Sequence, residues 1–220
     1  MGAEMREYKI AYEGGSGEYI EKKSRFIGTM VPIASESEAA EYIEKHKKAH
    51  WDARHNCYAF VLGPGNEVSR CTDDGEPSGT AGRPILEVLL GEGIHDALLI
   101  VTRYFGGVLL GTGGLVRAYT KAAQLAIEDG TVIVRRPGFR YVIGTDYVGI
   151  GKLQHVLGGM DAWVQDTIYE ADVKINVVVS ETEASAMEKS MTEATAGKVQ
   201  FLEKTETVFA VAKDEVILFE

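Results

Sequence analysis

The sequence has few cysteines, no long apolar run and no excess of positive charge, and each lack excludes a class of protein. Its two cysteines, Cys57 and Cys71, lie in no CxxC or Cys/His spacing, which excludes a disulfide framework and a zinc site. The longest apolar stretch, residues 97–101, is far shorter than the roughly 20 residues of a membrane-spanning helix. Residues 1–12 contain no apolar run and so do not form a signal or transit peptide. We therefore expect a soluble cytoplasmic protein with no membrane partner.

The charge balance limits how the protein can contact nucleic acid. The 220 residues carry 23 Lys and Arg against 33 Asp and Glu, for a formal net charge of -10. A general polyanion binder of the histone type is excluded, because the whole molecule repels phosphate. Any contact with nucleic acid must come from a local basic patch.

The first half of the chain shows the alternation of strand and helix signals that is typical of an α+β domain. Ser35 or Ser37 can cap the first helix, since Glu38 follows Ser35 at capping-box spacing. The predicted strands, bounded by Gly, Pro, Asn or Asp, span residues 19–33, 56–62, 98–104 and 131–134. The predicted helices run from the cap to Lys48 and over residues 84–90 and 113–128.

A break in this pattern predicts a second domain. Arg135, Arg136, Pro137 and Gly138 interrupt the chain after a strand, and a complete new set of elements follows. The order of that set is β-α-β-β-α-β, the ferredoxin-like arrangement. We therefore predict two domains, one over residues 1–136 and one over residues 137–220.

An acidic loop lies between a strand and a helix in the first domain. Asp73, Asp74 and Glu76 can ligate a hard cation or hold arginines, while Ser78, Thr80 and the glycine amides can form an anion nest at the helix start. The alternative is ordinary turn chemistry, because Asp-Gly and Pro-Ser-Gly occur in tight turns of any function. The spacing does not fit an EF-hand, so we predict a binding surface here, with Arg83 at its end, and no metal site.

A glycine-rich turn follows the strand over residues 98–104. Gly111, Gly113 and Gly114 precede a helix that carries Arg117, and Arg103 lies on the strand before the turn. Backbone amides at such a helix start can bind a phosphate. The sequence contains neither a P-loop nor a GxGxxG pattern here. Tight packing of the helix on the strand explains the glycines equally well.

A basic segment with an aromatic residue interrupts the acidic chain. RNA contact by its cations, with Trp51 stacking on a base, is one interpretation, and a solvated helix end with Trp51 covering the core is the other. Lys22, Lys23 and Arg25 extend the patch if the fold brings them near. His55 and Cys57 share a strand face, but the buried strand explains a thiol without catalysis. The candidate residues of this segment are Lys45, Lys47, Lys48, Trp51, Arg54 and His55.

Three stretches resemble the signature of the IMPACT/YigZ family: DDGEPSGTAG at residues 73–82, GRPILEVL at residues 82–89 and IVTRYFGGVLLG at residues 100–111. The first domain resembles the IMPACT amino-terminal domain. The second resembles the small ferredoxin-like domain of bacterial YigZ-type members.

The resemblance implies a first domain of the β-α-β type shared with a small-subunit ribosomal protein, domain four of elongation factor G and the GHMP kinases. It implies a second domain like the last domain of elongation factor G. Eukaryotic IMPACT proteins regulate translation by competing for the activator of the amino-acid-starvation kinase, and contact with RNA or the ribosome is implied for bacterial members. Because no RWD domain precedes the first domain here, we expect a translation-linked role without the kinase-regulating one.

Together these observations predict a non-enzymatic protein without a cofactor or metal. It is expected to act in translation control by binding RNA, the ribosome or a translation-regulating protein. The alternative is an enzyme or binding protein for a phosphorylated small molecule that uses residues 111–114, with Asp73 or Asp74 as a base.

Overall fold

The computed structural model describes residues 7–219, which divide into an amino-terminal unit, Tyr8–Ile133, and a carboxyl-terminal unit, which comprises residues 134–219 together with Glu7. Both units mix helices and strands, so the predicted two-domain α+β class is confirmed. No helix in the described range is long and apolar enough to cross a membrane.

The amino-terminal unit is built on a five-stranded sheet in the order β2-β3-β7-β4-β5, beside a short parallel pair of β1 and β6. Its helices are α1 (Glu36–Ala49), α2 (Gly82–Glu92) and α3 (Thr112–Asp129). Its strands are β1 (Tyr8–Glu13), β2 (Gly15–Glu21), β3 (Ser24–Pro32), β4 (His55–Leu62), β5 (Val68–Thr72), β6 (Ile94–His95) and β7 (Ala97–Tyr104).

Helices cover both faces of this sheet. Leu99 and Val101 of β7 pack in a large core with α2 and α3, while Leu98 and Ile100 pack in a smaller core with α1. Successive side chains of a strand point to opposite faces, so the continuous apolar run of β7 reflects a central strand buried on both sides. The centre of the sheet is therefore apolar on both faces, and polar groups lie near the ends of its strands.

The capping box predicted at Ser35 is confirmed and fixes the start of α1. The Ser35 hydroxyl accepts the backbone N–H of Glu38 at 3.2 Å, and the Glu38 carboxylate accepts the N–H of Ala34 at 2.7 Å. These bonds satisfy donors that have no partner inside the helix. Such a cap contributes about 1 kcal/mol to helix stability.

The strand predicted over residues 19–33 is wrong in one respect, because it is a hairpin. β2 and β3 pair in antiparallel register from Gly15 opposite Met30 to Glu21 opposite Ser24, and Lys22 and Lys23 form the two-residue turn. Both lysines have positive φ, 46° and 68°. The turn lacks the Asn-Gly signal that usually reveals such a hairpin in a sequence, so the two strands looked like one.

The carboxyl-terminal unit has the predicted β-α-β-β-α-β order with one added strand. Its sheet is antiparallel throughout in the order β12-β11-β8-β10-β9, and α4 and α5 pack in one core with the sheet. The elements are β8 (Thr131–Thr145, which begins in the amino-terminal unit), α4 (Ile150–Leu157), β9 (Ala162–Tyr169), β10 (Val173–Ser180), α5 (Glu181–Ala194), β11 (Gln200–Ala212) and β12 (Glu215–Phe219).

The predicted interruption at residues 135–138 is wrong, because β8 runs through it without a break. Arg136, Pro137 and Gly138 all pair with β11, and β10 begins to pair with β8 only at Gly138. Within this unit Pro137 thus has a paired strand on one side, and proline is tolerated where one side of a strand needs no ladder hydrogen bond. That residues 1–136 and 137–220 are independent domains stays a prediction.

Candidate nucleic-acid interface

One end of the amino-terminal sheet gathers cations from three separate parts of the sequence. Arg25 of β3 lies opposite Tyr104 of β7, and the backbone N–H of Arg54, just before β4, donates to the carbonyl of Arg103 at 3.2 Å. Since neighbouring strands lie about 4.8 Å apart, β3 and β4 are roughly 10 Å apart across β7. Lys22 and Lys23 form the turn at the same end.

The loop after β7 holds this end together. The backbone N–H of Gly106 donates to the Ser24 hydroxyl at 3.2 Å. A Cβ at Gly106 would lie 2.0 Å from the carbonyl carbon of Lys23, so only glycine permits this contact between the two backbones. The hairpin turn and the loop are therefore packed directly on each other.

We call this region the cationic sheet end and define it by six residues. Trp51 is 83% exposed, so the alternative that it covers the core is wrong. Phe105 is partly exposed and lies under the Arg54 guanidinium, 5.4 Å from ring centroid to Cζ. Phe105 was not among the site residues predicted from the sequence. Its position directly after a buried strand is the signal that could have identified it. The six residues are Lys22, Lys23, Arg25, Trp51, Arg54 and Phe105.

The cationic sheet end has an excess of positive charge. Arg25 is paired with Glu18 at 2.8 Å, Asp52 accepts a hydrogen bond from Tyr104 at 3.3 Å, and Glu21, which precedes the turn, accepts one from Tyr19 at 2.9 Å. Three carboxylates thus lie near the four cations of this end. Within residues 7–219 no carboxylate lies within ion-pair distance of the three remaining cations, which are Lys22, Lys23 and Arg54. These three cations form a small local group without ion-pair partners in a chain of net charge -10.

The lysines of α1 lie on the helix that ends just before Trp51 and are not among the six residues that define the cationic sheet end. Lys45 and Lys48 are on the exposed side of the helix, where Glu41 and Glu44 are also exposed. Lys47 is engaged with the Asp74 carboxylate at 3.0 Å. The surface of α1 therefore carries charges of both signs, and its lysines can add positive charge at the edge of the cationic sheet end.

The acidic loop supplies its own anion to the amides at the start of α2. The Asp73 carboxylate accepts the backbone N–H groups of Gly79, Ala81 and Gly82 at 2.8, 3.0 and 2.8 Å. Burial acts to raise the pKa of Asp73, but these bonds outweigh it and hold the pKa below its usual value. The predicted nest exists, yet these amides are already occupied by the chain itself.

Glu76 is the centre of a buried polar cluster. Its Oε1 accepts hydrogen bonds from Arg103 Nη1 at 2.6 Å and from the Tyr119 hydroxyl at 2.9 Å. His55 Nε2 lies 3.8 Å from the same oxygen, and His55 Nδ1 donates to the Asp74 carbonyl at 2.8 Å, because a carbonyl can only accept. Of the two interpretations of Glu76, the structure shows the one in which it holds an arginine.

Other predicted residues lie near this cluster or at the surface. Cys57 donates to the Asp73 carbonyl at 2.9 Å, and burial raises the pKa of its thiol to about 12, which fits a structural thiol. Arg117 is exposed on α3 near Gly113. Ser78 and Arg83 are exposed, and Arg83 pairs with Glu87 at 3.0 Å. Across residues 7–219 no group of three His, Cys, Asp or Glu side chains is placed to hold a metal ion.

In its domain composition this chain is a two-domain protein with an Impact amino-terminal domain. Residues 22–127 match the family described as "Impact N-terminal domain", and residues 143–198 match "Domain of unknown function (DUF1949)". The chain is similar over 95% of its length, with 29% identity and a TM-score of 0.58, to a solved structure titled "Crystal structure of an hypothetical protein", of which it covers 99%.

Two bacterial relatives then identify the family. The IMPACT family member YvyE of Bacillus subtilis is 40% identical over 88% of this chain and 89% of its own length. The IMPACT family member YigZ of Escherichia coli is 35% identical over 82% of this chain and 90% of its own length. The chain therefore belongs to the IMPACT family, and the resemblance found in its sequence is confirmed.

Proposed function

We propose that this protein is a non-enzymatic, translation-linked regulator that binds RNA through the cationic sheet end. The observation that carries the proposal is the convergence of Lys22, Lys23 and Arg54, without acidic partners in the described chain, beside the exposed rings of Trp51 and Phe105. Cations beside stacking surfaces are what single-stranded or looped RNA requires. The link to translation rests on membership of the IMPACT family.

The hairpin turn keeps its two lysines at some cost in backbone energy. Lys22 and Lys23 both occupy the left-handed region, which costs a residue with a side chain roughly 1 kcal/mol or more. Asn-Gly would form the same turn with less strain. The turn thus places two exposed lysines side by side at this end of the sheet.

The net charge of the molecule determines how RNA binding should depend on salt. A phosphate chain is repelled by the -10 charge over most of the surface and is attracted only where cations outnumber carboxylates. Binding should therefore be weak at physiological salt, strong at low salt and confined to one region.

The test replaces the two turn residues while keeping the conformation of the turn. Lys22→Asn together with Lys23→Gly keeps the hairpin but removes both charges, and we expect the affinity for a fluorescent RNA hairpin with a single-stranded tail to fall about tenfold at low salt. The matched control is Lys213→Asn with Asp214→Gly. These residues form the two-residue turn between β11 and β12, also at positive φ, 51° and 66°, and the exchange leaves the net charge unchanged.

The control should bind RNA like the parent protein. If both turn variants bind RNA with the parent's affinity, or if the parent binds no RNA at low salt, the proposal is wrong. In that case the alternative, competition for a translation-regulating protein, becomes the function to test.

A further inference from the structure

A cavity of about 360 Å³ adjoins the cationic sheet end in the amino-terminal unit. It lies between the acidic loop at Gly75–Pro77, the start of β4, and the segment that joins β7 to α3. Its volume is at the lower end of the range for small-molecule sites. Arg54 belongs both to the cavity and to the cationic sheet end.

The start of α3 forms one wall of the cavity. Gly111, at φ 71°, precedes Thr112, and both line the cavity. α3 has 18 residues, and its N-cap residue, Gly111, has no side chain with which to cap the amino terminus. The first N–H groups of a helix have no intrahelical acceptor and carry the positive end of its dipole, so this wall attracts an anion.

A buried arginine forms another wall. Arg103 is 5% exposed and lines the cavity, and its Nε is buried without a hydrogen-bond partner in the described chain. The Arg103 charge is neutralised by Glu76 at 2.6 Å. The unneutralised charges around the cavity are then the Arg54 guanidinium and the α3 dipole, both positive.

The remaining wall is apolar. Phe105, Leu109, Leu110, Leu115 and Pro77 line it, and Leu109 is 83% exposed at the rim. A ligand for this cavity therefore needs a concentrated negative charge at one end and an apolar or planar body at the other.

We infer that the cavity binds a phosphate monoester with a planar organic group, its phosphate between Arg54 and the start of α3 and its planar group against the apolar wall. A monoester carries close to two negative charges at neutral pH, whereas a phosphodiester carries one. The same chemistry occurs in a free mononucleotide and in the 5′-terminal nucleotide of an RNA chain. Binding of an RNA 5′ end by this cavity rests on the proposed function, whereas binding of a free phosphate ester does not.

The first test compares adenosine 5′-monophosphate with adenosine by calorimetry and by the NMR shifts of the Thr112–Leu115 amides. We expect the monophosphate to bind at least about tenfold more tightly and to shift these amides. Arg54→Ala and Leu109→Glu should each abolish this preference, while Arg140→Ala, which removes an exposed arginine of the carboxyl-terminal unit, should preserve it. Equal binding of the two compounds, unshifted amides, or a preference that survives both cavity variants would overturn the inference.

The second test separates the sources and uses RNA oligonucleotides with a 5′-phosphate or a 5′-hydroxyl. A preference for the 5′-phosphate that Leu109→Glu removes assigns the cavity to the RNA end, and equal affinities assign it to a free ester. The two proposals can fail separately. If monophosphate binding depends on Arg54 while RNA binding is insensitive to the Lys22/Lys23 turn, the cavity is supported and the RNA surface is contradicted. If RNA binding depends on the turn while monophosphate binding is insensitive to Arg54, the RNA surface is supported and the cavity is contradicted.

Discussion

Glu76 and Arg103 form an ion pair 2.6 Å long in which the side chains are only 4% and 6% exposed. The Tyr119 hydroxyl donates to Glu76 at 2.9 Å, and Arg103 Nη2 donates to the Ser24 hydroxyl at 3.5 Å. Arg103 lies at the end of β7, so this pair anchors the acidic loop to the sheet end on which both proposals depend.

Removing one partner of the pair should be costly. Glu76→Ala leaves Arg103 charged and buried, and we expect the free energy of unfolding to fall by about 3–5 kcal/mol in urea titrations. Glu87→Ala is the matched control, since it breaks the exposed Arg83–Glu87 pair and should cost less than about 1 kcal/mol. Similar losses in the two variants would show that the buried pair does not anchor the loop.

The two cysteines should differ sharply in reactivity. Cys57 is buried and its thiol pKa is raised to about 12, so almost no thiolate forms at pH 8, whereas Cys71 is exposed. A thiol reagent should therefore label one site rapidly in the native protein and two in denaturant. Cys71→Ser should remove the rapid reaction. Rapid labelling of Cys57 in the native state would contradict its position in the core.

Stability should decrease as the pH falls from about 6.5 towards 4. Burial, with a smaller effect of His50, lowers the pKa of His46 to about 4, so the unfolded chain binds a proton in this range that the folded protein does not. Because the ring is only partly buried, the loss due to His46 should be about 1 kcal/mol. His46→Gln should show a shallower decrease over this range in urea titrations. An identical decrease in variant and parent would exclude His46 as the cause.

Both turn variants should be more stable than the parent. Lys22→Asn with Lys23→Gly, and Lys213→Asn with Asp214→Gly, relieve positive φ at residues with side chains, and we expect a gain of about 1 kcal/mol each. Thermal unfolding measures this gain. A loss of RNA affinity in a variant that has gained stability cannot be attributed to unfolding. A fall in stability would show that the lysine side chains hold the hairpins together.

The sequence predicted the long elements well because their signals are local. The capping box at Ser35, the apolar stripe of α3 and the β-α-β-β-α-β order all depend on neighbours a few residues apart. β1, β5, β6 and β12 were missed because each has at most six residues, so its pairing is decided by the rest of the fold.

The site was harder to predict because distant segments compose it. The sequence indicated Arg54 and Trp51, and named Lys22 and Lys23 as an extension that depended on the fold. Only the pairing of β3 with β7 and of β7 with β4 brings them together. The pairing of Arg103 with Glu76 likewise could be seen only in the folded structure, since 27 residues separate the two in the chain.

The salt dependence of RNA affinity tests the central claim most directly. Each lost phosphate contact reduces the slope of log affinity against log salt by roughly 0.7 to 0.9, so Lys22→Asn with Lys23→Gly should flatten the slope by about 1.4 to 1.8. Lys189→Ala with Lys198→Ala removes the same charge from exposed positions of the carboxyl-terminal unit and should leave the slope within about 0.3 of the parent. An unchanged slope in the turn variant, or an equal flattening in both variants, would contradict RNA binding at the cationic sheet end.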